Sequence, residues 1–75
     1  MQIRLIGRQI LDFQSGTGSV KGTNLFGAYK DENVEGLRCD RFFVKDGIEI
    51  PECKINDTLN LSFNMRGKVE SVSKA

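Results

Sequence analysis

From Thr58 to Met65 the chain alternates without a break: Leu59, Leu61, Phe63 and Met65 on one parity, Thr58, Asn60, Ser62 and Asn64 on the other. Successive strand side chains point to opposite faces, so this run predicts a strand with one apolar face and one wet face. Asn64-Met65-Arg66-Gly67 then reverses the chain, with Gly67 supplying the positive φ that a short hairpin loop needs. Lys68 to Val72 returns as the partner strand. An isolated two-stranded hairpin is marginal in water, so the remaining residues must supply sheet to cover its apolar face.

Those residues read as more strands. Met1 to Phe13 is a long one, with Ile3, Leu5, Leu11 and Phe13 on one parity and Ile6 and Ile10 on the other. A strand apolar on both faces is central or strongly coiled, and Gly7 is where its bend or bulge belongs. Gln14 to Ser19 is a Gly/Ser loop. Its Gly-x-Gly lacks the following helix that a phosphate cradle requires, so it reads as a connector or finger. Val20 to Lys30 is a second strand, 31–36 an acidic turn, and Leu37 to Val44 a third strand whose parity slips between Cys39 and Phe42. Asp46-Gly47 is a strong hairpin signal that predicts a short fourth strand over Ile48 to Ile50, closed off by Pro51. Helical periodicity is missing throughout, and only 49–56 has room for a single turn.

Seventy-five residues make one domain, 1–75. A chain of this length buries only about 60% of its unfolded surface, so the core is thin. With 39% hydrophobic and 28% charged residues the chain is too apolar to be disordered. The fold class is therefore all-β, with five to six short strands in a small curved barrel, OB-like ahead of SH3-like.

Catalysis finds no footing. There is no histidine to serve as general base near neutral pH, no nucleophile motif, and the acids are spread over turns and polar faces. No catalytic residue, cofactor, metal site or small-molecule substrate is expected. Cys39 and Cys53 without histidine do not make a zinc site in one chain, and they read as reduced, semi-buried thiols. The polar amino terminus and the lack of a long apolar run point to a cytoplasmic protein without a membrane partner.

Net charge is only +1. Residues 1–30 carry net +3, 31–57 net −4 and 58–75 net +2, so pairing of the two ends would give a basic side and an acidic side. Aromatic and basic residues interleave: Phe26, Tyr29, Phe42, Phe43 and Phe63 lie among Lys21, Lys30, Arg38, Arg41, Lys45 and Arg66. Single-strand binders stack bases on aromatic faces and hold phosphates with nearby cations. Strand alternation turns only one of Phe42 and Phe43 inward, while Phe63 continues the Leu59–Leu61 face into the core.

The order of features resembles small OB-fold single-stranded-DNA-binding proteins of phages and conjugative elements. It runs long bent first strand, Gly/Ser loop, Phe26-Gly27-Ala28-Tyr29, Phe42-Phe43-Val44, then Lys54 to Leu61 and Phe63 to Val69. The resemblance implies binding along the face of strands two and three, often as a homodimer. It implies bases at Tyr29 and Phe42, and phosphates at Lys21, Lys30, Arg38 and Arg41. The expected function is non-enzymatic binding of single-stranded nucleic acid, DNA ahead of RNA. The alternative is a protein-interaction module or accessory subunit, anchored by Phe42 or Phe43 and by a strand edge near Pro51.

Overall fold

The computed structural model describes residues 1–16 and 18–75. Five strands follow one another: β1 (Gln2–Ser15), β2 (Gly18–Lys30), β3 (Leu37–Lys45), β4 (Thr58–Phe63) and β5 (Val69–Lys74). All neighbours are antiparallel, in one sheet of order β3-β2-β1-β4-β5. Three consecutive strands, with a fourth returning over a long connection to lie beside the first, form a Greek key. The sheet is open. Its two end strands, β3 and β5, nonetheless come into contact, so the sheet curls until its edges face each other across a seam that no ladder closes.

Curling starts in β1. The register steps from Leu5↔Gly27 to Gly7↔Phe26, which leaves Ile6 as the extra residue of a bulge beside the expected glycine. Before the bulge, Ile3 and Leu5 point into the core. After it the parity reverses, so Arg8 and Ile10 share the face of Leu25, while Leu11 and Phe13 turn to the other face. The close approach depends on Gly27, where an added Cβ would lie 2.5 Å from Ile3 Cδ1 and 2.9 Å from Ile3 Cβ.

The core consists of Ile3, Leu5, Leu25, Val44, Leu59, Leu61, Val69 and Val72 with Cys53, and Tyr29, Phe42, Ile48 and Ile50 pack on it in part. Cys39 is exposed, and both cysteines are free thiols. Leu59 and Leu61 keep the alternation that defined the closing hairpin. Phe63, the last residue of β4, keeps that side and packs on Phe42, but it is 37% exposed, and Met65 stands fully in solvent on the turn. The placement of Phe63 in the core and of Met65 on the apolar face is thereby corrected.

β1 and β2 are long, at 14 and 13 residues. One further expectation is corrected. Ile48 to Ile50 form no strand. Asp46-Gly47 does turn the chain, but the Asp46 N–H donates to Lys21 O on β2 and the Ile48 N–H to Lys45 O, so the segment after the turn never forms a ladder with β3. Ile48 and Ile50 instead contact the core from a loop. The Gln14–Ser19 connector narrows to what lies between paired Ser15 and Gly18, and Thr17 lies outside the described residues. Beyond Lys45, where β3 ends, β1 and β2 run on as a two-stranded ribbon, consistent with extents of 41 × 26 × 24 Å. No helix among the described residues is long and apolar enough to cross a membrane.

Candidate nucleic-acid interface

The seam between β3 and the β4–β5 hairpin holds an open cleft of about 700 Å³. Three aromatic rings and four cations line it, and each is placed by a local feature of the chain.

On β3, Phe42 sits opposite Leu25 and turns to the core side, and Phe43 sits opposite Asn24 and turns out. The ring of Phe43 lies directly over Gly22, since a Cβ there would be 2.7 Å from Phe43 Cζ and 2.6 Å from Val44 O. The glycine therefore lets the ring approach β2 closely, yet Phe43 stays 43% exposed. Phe63 ends β4 beside the seam, where its ring lies 6.2 Å from Phe42. Phe42 in turn lies 6.3 Å from Tyr29. A row of tilted rings thus crosses the core side of the sheet and ends at the cleft, in the separation range favoured by aromatic pairs.

The cations come from the edge of β3, Arg41 and Lys45, and from the β4–β5 turn, Arg66 and Lys68. That turn is well constructed. The Oδ1 of Asn64 accepts the N–H of Arg66 at 2.9 Å and of Lys68 at 3.1 Å. The Asn64 N–H donates to Lys68 O at 2.9 Å, and the Gly67 N–H to Asn64 O at 3.0 Å. Gly67 takes φ +75°, the left-handed conformation that glycine adopts without penalty. Glu70 is the one acid on the lining, leaving a net local charge of +3. Among the described residues, the ion pairs involve none of these four cations.

The six residues expected to bind nucleic acid are split. Arg41 and Phe42 line the cleft. Tyr29 and Arg38 belong to a polar cluster at the other end of β2 and β3. There the Tyr29 hydroxyl donates to Asp40 Oδ2, while Arg38 reaches Asp40 at 3.3 Å and Asp31 at 3.1 Å. The bond to Asp40 raises the Tyr29 pKa, and the bond to Asp31 raises that of Arg38. The Asn33 N–H, followed by Arg38, holds the Asp31 carboxyl below its usual range. This cluster neutralises its own cation. Lys30 is exposed at the end of β2 opposite Leu37, and Lys21 is exposed on the ribbon opposite Asp12. Phe43, Lys45, Phe63, Arg66 and Lys68 complete the cleft. The Asn64-x-x-Gly67-Lys68 turn was the available signal for the last two, because it presents basic side chains next to an aromatic strand end.

Among the described residues no three His, Cys, Asp or Glu side chains come together as a metal site. Comparison with known proteins finds no family model, no curated protein and no solved structure that this chain matches.

Proposed function

We propose that the chain is a non-enzymatic, single-stranded nucleic-acid-binding domain whose strand lies across the seam cleft. The observation that carries this reading is the meeting, in one open cleft, of exposed Phe43 and Phe63 with four cations that have no ion-pair partner among the described residues. Bases have planar faces to stack on these rings, worth about 1–3 kcal/mol per base, and the backbone has cations on both banks. A small-molecule pocket would be more enclosed and would bring a few polar groups to convergence.

The same reading resolves the sheet as a partly open OB-like barrel. Such barrels have five strands in a Greek key and bind oligonucleotides on strands two and three and on the loops joining β1–β2 and β4–β5. Here the β4–β5 turn forms one bank of the cleft and β3 the other. Arg41 and Phe42 keep the roles expected of them, whereas phosphate contact shifts from Lys21, Lys30 and Arg38 toward Lys45, Arg66 and Lys68. DNA is the first substrate to try, in line with the single-stranded-DNA binders that the chain resembles in the order of its features.

The test is fluorescence anisotropy of a labelled oligo-dT of about 20 nucleotides, comparing the parent chain with Phe63→Ala and Tyr29→Ala. Loss of one stacking ring should weaken binding by about 1–3 kcal/mol for Phe63→Ala, roughly 5- to 150-fold. Tyr29→Ala should have the smaller effect. No saturable binding at low salt, or the reverse order of the two variants, would overturn the assignment.

A further inference from the structure

We infer that the chain forms a two-fold symmetric homodimer by pairing the free edge of β1 with the same edge of a second copy, in a register centred on Ile10. The interface uses none of the cleft residues, so it stands or falls separately from the binding function.

The edge is left open by the fold itself. β4 pairs with β1 only from Gln2 to Arg4, and Leu5 is then held by the Asp57 carbonyl and the Asn56 N–H. Beyond Leu5, β1 pairs with β2 alone. Leu5 turns its main-chain groups away from β2, toward 56 and 57. The bulge at Ile6 reverses the alternation, so after it Arg8, Ile10, Asp12 and Gln14 turn their N–H and carbonyl groups outward. A seven-residue strand edge thus ends in unpaired donors and acceptors, the arrangement that natural sheets cover, charge or use for pairing.

Side chains along this edge favour a partner over solvent. Ile6 is 40% exposed, Ile10 78% and Phe13 52%. Apolar residues so exposed on a flat edge invite association. Arg8 has one weak contact, Nη1 to Cys53 Sγ at 3.9 Å, and Asp12 lies in none of the ion pairs among the described residues.

Self-pairing must be antiparallel about a two-fold axis, and the axis position decides which charges meet. Centred on Asp12, two carboxylates would oppose each other. Centred on Leu11, Arg8 meets Gln14 and Asp12 meets Ile10. Centred on Ile10, each Arg8 faces Asp12 of the second copy, Ile10 faces Ile10, and Gln9 faces Leu11. This register also sets Phe13 opposite Gly7, which the Phe26 side chain covers, its Cδ2 3.3 Å from where a Cβ would stand. With no side chain at the glycine, the Phe13 ring packs toward Phe26 across the interface. The Ile10 register alone satisfies both charges and both faces, and every outward main-chain group from Arg8 to Asp12 finds a partner.

Sedimentation velocity over a concentration series tests this. The parent chain should dimerise. Asp12→Arg and Arg8→Asp should each raise the dissociation constant by about tenfold or more, because two attractive contacts per dimer become repulsive. The double variant Arg8→Asp/Asp12→Arg should recover parental association. Both positions are exposed, and circular dichroism will confirm that each variant folds. The register is read by cross-linking in a Cys39→Ser background. Ile10→Cys should oxidise to a disulfide dimer, because hydrogen-bonded antiparallel pairs sit about 5.5 Å apart at Cα, within disulfide range. Gln14→Cys should not. A parent that stays monomeric at every concentration, a charge swap that fails to restore association, or equal cross-linking at 10 and 14 would each overturn the proposal.

Discussion

If phosphates sit in the seam cleft, the salt dependence of binding should count its cations. Arg41, Lys45, Arg66 and Lys68 line the cleft without ion-pair partners among the described residues. For single strands, log K falls against log salt with a slope of about −0.7 per phosphate neutralised, so four contacts give about −2.8. Raising salt from about 50 to about 200 mM should then cost the parent roughly 50-fold in affinity. Arg66→Ala/Lys68→Ala keeps two contacts, a slope of about −1.4 and a loss of roughly 7-fold over the same range. The control is Lys30→Ala/Arg38→Ala, which removes the same formal charge at the far end of β2 and β3, where Arg38 is already held by Asp31 and Asp40. Its slope should stay close to the parent's. Anisotropy titrations of labelled oligo-dT at five or so salt concentrations give all three slopes. Parallel lines for the parent and the Arg66/Lys68 variant would refute the cleft as the phosphate site. A reduced slope for the Lys30/Arg38 variant alone would move the site to the opposite end of the strands.

Two stability predictions follow from the packing. Gly27→Ala sets a Cβ against Ile3 Cδ1 and Ile3 Cβ, and the second of these atoms is fixed to the β1 backbone. Overpacking of this kind should destabilise by about 1–3 kcal/mol in urea unfolding, out of a total of about 4–11 kcal/mol for a domain of this length. Ile3→Val in the same chain removes only Cδ1, so it should rescue part of the loss, and an unchanged midpoint for Gly27→Ala would contradict the contact. The Asp57 carboxylate accepts the Lys54 N–H at 2.8 Å and lies 3.5 Å from Lys74 Nζ, and the first of these chiefly lowers its pKa. A depressed folded pKa gives stability that is present above the unfolded value near 4 and drains as pH falls through the lower folded one. Asp57→Asn should therefore flatten the acid limb of the stability curve below about pH 5, and superimposable acid limbs would dismiss the carboxylate's part.

The sequence revealed the sheet better than the site, for reasons visible in individual residues. Leu59 and Leu61 could be read because period-two alternation on a half-buried strand has one solution. The bend beside Gly7 could be read because apolar residues on both parities demand a parity change. Ile48 and Ile50 misled because a loop that buries two alternate residues has the same pattern as a strand. What separates the two is whether the main chain finds a ladder, and here Asp46 is bonded to β2 instead. At the site, the residue types were right and the grouping was not. Arg38 lies on the same strand as Arg41 and Phe42, with Tyr29 on the neighbouring β2, but Asp31 and Asp40 claim them, and that claim depends on cross-strand register rather than on spacing. Arg66 and Lys68 joined β3 only through the curl of the whole sheet, which brings together residues more than 20 positions apart.

β1 also belongs to two environments at once. Its first residues are paired with β2 on one side and β4 on the other, with Ile3 and Leu5 at 1% and 0% exposure, whereas its last residues pair with β2 alone. Local opening free energies follow the density of such support. The strand is therefore continuous in geometry and discontinuous in cooperativity: the ribbon can open and reclose many times for each global unfolding event. The boundary between the two regimes lies level with Lys45, at Leu11 and Gly22, where β3 stops backing β2. The point at which one neighbour ends thus also isolates the core from whatever happens at the far end of the ribbon.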